Sequence, residues 1–283
     1  MNKPLVIYHK ACMDGLGAAW AAWKFFGDNA EYVSAQYGDE PPNELYNRDI
    51  YILDFSYKRD VTKKIAAEAN NLVLIDHHAT AIADLAEIDV DCMNVSAKFD
   101  TAKSGAVLAW EYWHPGTPAP VLLQLVQDRD LWHFIYAHTK TTHAYLKTQP
   151  YTINSFDKSV GMVDDNEKYT KVVEPIGEAI LQLQQEISRS CISDPRKMNF
   201  NGNVIPVFNC PGHFISDSCD MFLKENPDEP IVAAYFDMAL KRVFSLRARE
   251  GVDASHIAKH FGGGGHPRAC GFSLPRSHPL ARE

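Results

Sequence analysis

Leu72-Val73-Leu74-Ile75-Asp76-His77-His78 decides the fold. An unbroken run of Leu, Val and Ile reads as a strand buried on both faces, the kind that parallel sheets use. In open α/β sheets, ligands gather beyond the carboxyl ends of the strands. This strand ends on one carboxylate and two imidazoles. It therefore brings to that place a donor set suited to Mn, Fe, Co or Zn.

Upstream, Leu5–His9 reads as a short strand, residues 14–26 as an Ala- and Trp-rich helix ended by Gly27, and residues 32–35 as a strand. Residues 50–54 form an apolar strand ending on Asp54, and residues 58–70 a helix with Ile65, Ala66 and Ala69 inward. Downstream, residues 103–113 and 119–129 read as helices. Strands alternating with helices predict an α/β domain with a Rossmann-like parallel sheet over residues 1–150. Residues 151–165 are polar and show little periodicity. Residues 167–190 carry Ile176, Ile180, Leu183 and Ile187 at helical spacing, which predicts one long connecting helix within a linker spanning 151–193. Asp194-Pro195 breaks it. Residues 194–283 hold strands at 204–208, 231–236 and 242–249 and helices at 214–224 and 255–261. That is enough for a smaller α+β domain.

Composition narrows the partners. The chain has 283 residues and a net charge of −8, a balance unsuited to holding long duplex nucleic acid on a broad basic surface. No apolar run reaches the length of a membrane helix. The opening residues enter a strand without a signal-peptide core, and the six cysteines (Cys12, Cys92, Cys191, Cys210, Cys219 and Cys270) form no CxxC pair. Reduced thiols in a cytoplasmic protein are the expectation. The long helix offers a surface for a homodimer.

Acids and imidazoles recur at strand ends: His9 with Asp14, then Asp54, then Asp76-His77-His78, with Asp128 after an apolar helix. Singly, each has an ordinary reading: a strand-end Asp caps a helix or makes a turn, and a lone His hydrogen-bonds in a core. Together, the carboxylates would repel one another unless cations lay between them. A two-metal centre removes that conflict and supplies phosphoryl-transfer chemistry. Near the other end, Gly262-Gly263-Gly264-Gly265-His266-Pro267-Arg268 follows a short helix. It reads as a plain turn or, with Arg247 on a preceding strand, as a phosphate cradle of glycine amides and cationic side chains; the cradle is preferred.

Asp76-His77-His78, with Asp14-Gly15 and Asp54 upstream, resembles the DHH phosphoesterase superfamily. The stretch from Ser245-Leu246-Arg247 through Val252-Asp253-Ala254-Ser255-His256 to Gly262–Phe272 resembles the DHHA1 domain that accompanies many of its members. The resemblance implies a Mn-dependent phosphodiesterase with two divalent ions (Mn before Fe, Co, Mg or Zn) acting on short oligonucleotides or linear dinucleotides. It implies that His9, Asp14, Asp54, His77 and Asp128 bind metal and that Asp76 supports them from behind. It also implies that His78 faces the leaving group, and that Arg247, His266, Arg268 and the amides of Gly263, Gly264 and Gly265 hold phosphate. Exopolyphosphatase-like hydrolysis, single-strand exonuclease action and a catalytically silent nucleotide-binding module are the alternatives. Cys12 stands where the family has a carboxylate, as a metal ligand or as a small packing residue. Asp128 and Asp130 both suit the fourth motif; Asp128 is preferred because it ends the apolar stretch. Trp132 and Phe134 are either core residues or a base-stacking platform.

Overall fold

The structure is a computed structural model and describes residues 2–282. The chain forms two compact units, residues 1–180 and 181–283, with the helix Glu174–Ile192 running from one into the other.

The first unit is built on a five-stranded sheet of β1 (Leu5–His9), β2 (Glu31–Ala35), β3 (Asp49–Leu53), β4 (Asn71–Asp76) and β5 (Val95–Phe99), all parallel, in the order β2-β1-β3-β4-β5. Both faces are covered, as the unbroken apolar strands require. Leu5, Ile7, Ile50, Ile52, Leu72 and Leu74 pack on one side with Ile65 and Ile88. Val6, Leu53, Val73 and Ile75 pack on the other with the helices Met13–Phe26, Gly105–Trp113 and Val121–Asp130. The Trp20 and Trp110 rings stack at 5.5 Å between the first two of these helices. The chain leaves β1 for the edge strand β2 and returns to β3 on the other side. Strand order therefore reverses between β1 and β3, the point where doubly wound sheets open a crevice for ligands.

Residues 151–165 are not irregular. Ile153–Val163 is a helix, with the Thr152 side chain accepting from Ser155 N and with Phe156, Ser159 and Val163 buried. Trp20 Nε1 donates to Asp157 Oδ1 at 2.9 Å, tying this helix to Met13–Phe26. The long helix is also interrupted. Tyr169–Val173 is a π turn that gives way to the α-helix Glu174–Ile192. Pro175 has no N–H to donate, so the regular ladder cannot pass through it. Strand β5 and the helix Thr139–Leu146 go beyond the elements expected from the sequence. No helix among the described residues is long and apolar enough to cross a membrane.

The second unit carries a six-stranded sheet of β6 (Arg196–Phe200), β7 (Asn203–Asn209), β8 (Ile231–Asp237), β9 (Lys241–Ala248), β10 (Gly264–His266) and β11 (Ala269–Pro275), ordered β10-β11-β9-β8-β7-β6. Only the β7–β8 pairing is parallel. On one face Phe200, Phe244, Phe272 and the helix Ser255–His260 form a core. On the other, the helix Ile215–Glu225 sets Cys219 and Phe222 against Val232 and Ala234. All six cysteines are free thiols.

Candidate metal centre

Three neighbouring strands end at one place. His9 closes β1, Asp54 follows β3, and Asp76 closes β4 ahead of His77 and His78. Asp54 is 1% exposed and adopts a left-handed φ of 62°. Such a backbone conformation is costly for a residue with a Cβ and is found where a site requires it. Its Oδ2 lies 3.3 Å from His9 Nδ1 and its Oδ1 3.2 Å from His77 Nε2. None of these four atoms makes a hydrogen bond, although all are buried. Buried polar atoms left in this way are expensive.

Asp14 comes from the first turn of the helix Met13–Phe26. Its oxygens accept the Gly105 N–H at 2.6 Å and the Ala106 N–H at 3.0 Å, so the positive end of the helix Gly105–Trp113 holds it. Sequence reading missed these two amides. Gly105 must be small: a Cβ there would stand 2.7 Å from Asp54 Cβ. Asp14 Oδ2 and Asp130 Oδ2 lie 3.6 Å and 3.5 Å from His77 Nε2.

The fourth carboxylate is Asp130, where the sequence favoured Asp128. Asp128 is turned away from the cluster. Its carboxylate accepts Ile135 N at 2.9 Å, Tyr136 N at 3.2 Å and the Thr139 hydroxyl. Its carbonyl accepts His133 N at 2.9 Å. Asp128 therefore organises the turn after the helix, in which Trp132 and Phe134 take φ values of 60° and 54°. Trp132 and Phe134 are partly buried there, packed edge to face at 5.0 Å with the Arg129 guanidinium over Trp132.

Three groups could each hold a cation: His9, Cys12 and Asp54; Asp54, His77 and His78; and Asp14, His77 and Asp130, with ligand atoms in each within 4.8 Å of one another. Charge in the cluster is crowded. Burial, then the charges of Asp54 and Asp130, push Asp14 well above the ordinary carboxylate range, and burial and Asp54 raise Asp130. Burial would raise Asp54 too, but the His77 and His9 imidazoles facing its oxygens hold it below that range. The Cys12 thiol is pushed up by burial and by the same three carboxylates. Cations placed among these groups would relieve every one of these conflicts, so the residues present fit divalent metal ions.

Asp76 stands behind the cluster, fully buried. Its Oδ1 accepts the His77 and His78 backbone N–H groups at 2.7 Å and 3.1 Å and lies 2.7 Å from His78 Nδ1; its Oδ2 accepts Ser56 Oγ at 2.7 Å. Burial alone would lower both imidazoles; Asp54 beside His77 and Asp76 beside His78 outweigh it and raise them. Tyr37, a residue not singled out from sequence, sets its ring edge-on 5.4 Å from His9 and 6.0 Å from His78.

In the second unit, the glycine run is a structured element. Gly262, at φ 75°, and Gly263 close the helix Ser255–His260: Gly262 N–H donates to Lys259 O and Gly263 N–H to Ala258 O, a Schellman cap. The Gly263 amide is thereby committed to the helix and does not serve as a phosphate donor. Gly264 and Gly265 enter β10, which returns through Pro267-Arg268 to β11. Arg247 pairs with Ala269, and Ala269 with His266, so Arg247 and His266 lie on one face of the sheet. Arg247 donates to Ser216 Oγ at 2.9 Å, and Arg268 is exposed in the turn.

Comparison with known proteins agrees with both halves. The DHHA1 domain family model matches residues 212–282. The chain is 28% identical over 291 residues to Uncharacterized protein R106 of Acanthamoeba polyphaga mimivirus, covering 95% of this chain and 67% of that protein. The DHH domain of a member of the s1p family of ribosomal proteins shares the fold with a TM-score of 0.63 at 14% identity, covering 97% of this chain and 83% of that one. The pGpG-specific phosphodiesterase PggH from Vibrio cholerae does so with a TM-score of 0.52 at 14% identity, covering 96% and 93%. The DHHA1 domain model thus matches within the second unit, and the Asp-His-His strand end of the first lies in a chain whose fold is similar to that of a solved DHH domain.

Proposed function

We propose that the chain is a divalent-metal-dependent phosphodiesterase that hydrolyses short oligonucleotides or linear dinucleotides to nucleoside monophosphates. The observation that carries the reading is the Asp54 carboxylate, buried with neither oxygen hydrogen-bonded and set between His9 and His77, which are equally unpartnered at the facing nitrogens. His9, Asp14, Asp54, His77 and Asp130 would hold the ions, with Cys12 at the edge of the set. Divalent ions bound there supply charge neutralisation for phosphate oxygens and an acidified water. Mn is the first ion to test.

The remaining roles fall to the chain itself. Asp76 fixes His78 through Nδ1, leaving Nε2 as the position from which a proton reaches the leaving oxygen. The raised pKa of His78 favours the protonated ring that such a donor needs. Asp76, closed off from solvent, acts through His77 and His78 as a positioning residue. Arg247 and His266 on their shared face, with Arg268 in the adjoining turn, suit a phosphate or the end of a short chain. An acidic chain favours substrates small enough to be held by a local cluster.

The similarity in fold to a phosphodiesterase supports the reaction class. The test is product analysis with metal-stripped protein, with and without added Mn, on 5′-phosphorylated RNAs from dinucleotide to long single strands. Metal-dependent release of mononucleotides from the shortest members alone is the expected result. Preference for long strands would replace the reading with a single-strand exonuclease. Cleavage of polyphosphate but not RNA would replace it with a phosphoanhydride hydrolase. Metal binding without hydrolysis of any of them would leave a silent binding module.

A further inference from the structure

The donors around Asp54 differ in kind from one side to the other. On one side stand an imidazole, a thiol and a carboxylate: His9, Cys12 and Asp54. On the other stand Asp14, His77 and Asp130, with oxygen and nitrogen donors only. Cys12 occupies the N-cap of the helix Met13–Phe26, where Ser, Thr, Asp or Asn would bond the first free amides; its side chain makes no such bond. An independent observation points to a ligand at the same place. Asp54 Oδ2 and His9 Nδ1, the two other donors of this set, are buried without a hydrogen bond, and Asp54 is 1% exposed.

Thiolate sulfur is a soft donor that favours Zn, Co or Fe over Mn and Mg, whereas carboxylates favour the harder ions. We propose that the centre is chemically divided: the Cys12 thiolate, with His9 and Asp54, holds a thiophilic divalent ion, and Asp14, His77 and Asp130 hold an oxygen-preferring one. The inference rests on the metal-centre reading above and specifies which ion goes where. Binding at the first position breaks the Cys12 S–H bond, forms a sulfur–metal bond and releases one proton to the buffer. Asp54 belongs to the first group and also to the group of Asp54, His77 and His78, and His77 belongs in turn to the group with Asp14 and Asp130, so these shared side chains link the two positions.

The experiment is a Co(II) titration of the full metal-stripped chain, followed in the near ultraviolet for the sulfur-to-cobalt charge-transfer band and by metal analysis for the cobalt bound. The wild-type chain should develop the band, and added Mn should not remove it. Cys12→Ser and Cys12→Asp should lose the band while still binding cobalt, and Cys92→Ser should keep it. Cobalt bound to the wild-type chain without the band would overturn the sulfur ligand and leave the metal centre standing, as would a band that survives in Cys12→Ser. No cobalt bound to the wild-type chain would overturn the metal centre, and this inference with it. The wild-type spectrum decides these cases even if a variant fails to fold.

Discussion

Asp54 and Asp128 are both buried carboxylates, 1% and 2% exposed, yet they do opposite work. Asp128 has its oxygens taken up by two backbone amides and a threonine hydroxyl. It satisfies the chain around it and holds a turn in place. Asp54 has no hydrogen bond at either oxygen and faces two imidazoles equally without partners. Its two oxygens face His9 Nδ1 and His77 Nε2 at 3.3 Å and 3.2 Å instead of backbone amides. Asp14 stands between the two: its oxygens accept the Gly105 and Ala106 amides, which aim it at His77. What fills a buried carboxylate's lone pairs, rather than its burial, separates a structural acid from a ligand.

Substitution should pull the two acids apart. Asp54→Asn should reduce phosphodiester hydrolysis to background and abolish the rise in melting temperature on adding Mn. The metal-free protein should melt no lower than wild type, because a crowded buried charge has been removed; a metal-free form markedly less stable than wild type would return Asp54 to a structural role. Asp128→Ala should do the reverse. It leaves Ile135 N, Tyr136 N and the Thr139 hydroxyl without an acceptor and should cost about 2–4 kcal/mol in urea unfolding. Folded protein below the transition should retain its affinity for Mn; loss of metal at full stability would put Asp128 back among the ligands.

Gly105→Ala lies where the two roles meet. Its methyl would press on Asp54 Cβ at 2.7 Å and on Oδ1 at 2.8 Å. A cost of about 1–3 kcal/mol in stability, accompanied by weaker metal binding in calorimetry, is expected; unchanged affinity would mean that Asp54 tolerates displacement. The smallest effect is at His143, on the helix Thr139–Leu146 that begins at an Asp128 partner. Burial, with Arg129 and Lys147 nearby, lowers its pKa from 6.5 to about 3. The folded state therefore keeps this ring neutral where the unfolded chain protonates it. Its contribution is complete above pH 6.5 and is lost as pH falls from there toward 3. His143→Phe should flatten stability against pH by up to about 1 kcal/mol per unit between pH 6 and 4, measured by urea unfolding. An unchanged slope would remove His143 from the acid response.

The sheet of the first unit was readable because its information is local. Apolar runs ending in Asp or His, such as Leu72 to His78, state both the strand and its exit. Strand β5, Val-Ser-Ala-Lys-Phe, alternates weakly at the sheet edge and gave no comparable signal. The helix Ile153–Val163 hid behind polar surface residues, since its inward face is limited to Phe156, Ser159 and Val163. The choice between Asp128 and Asp130 depended on a turn through two left-handed aromatic residues, Trp132 and Phe134. No local preference announces such a turn, because its stability comes from Asp128 accepting amides seven and eight positions ahead. The glycine run read as a phosphate cradle in preference to a plain turn, but Gly262 and Gly263 close a helix end through bonds to Lys259 O and Ala258 O.

The parallel register of β1, β3 and β4 has a consequence for how such a centre can vary. The strand-end donors His9, Asp54 and His77 are spaced by the sheet itself, at roughly 4.8 Å from strand to strand, while Asp14 and Asp130 are brought to them by helices. A slip of one residue in β3 would move Asp54 about 3.3 Å along the strand and turn it to the opposite face. Spacing is therefore inherited with the fold. The identity of a donor, sulfur or oxygen at position 12, is the part a single substitution can rewrite.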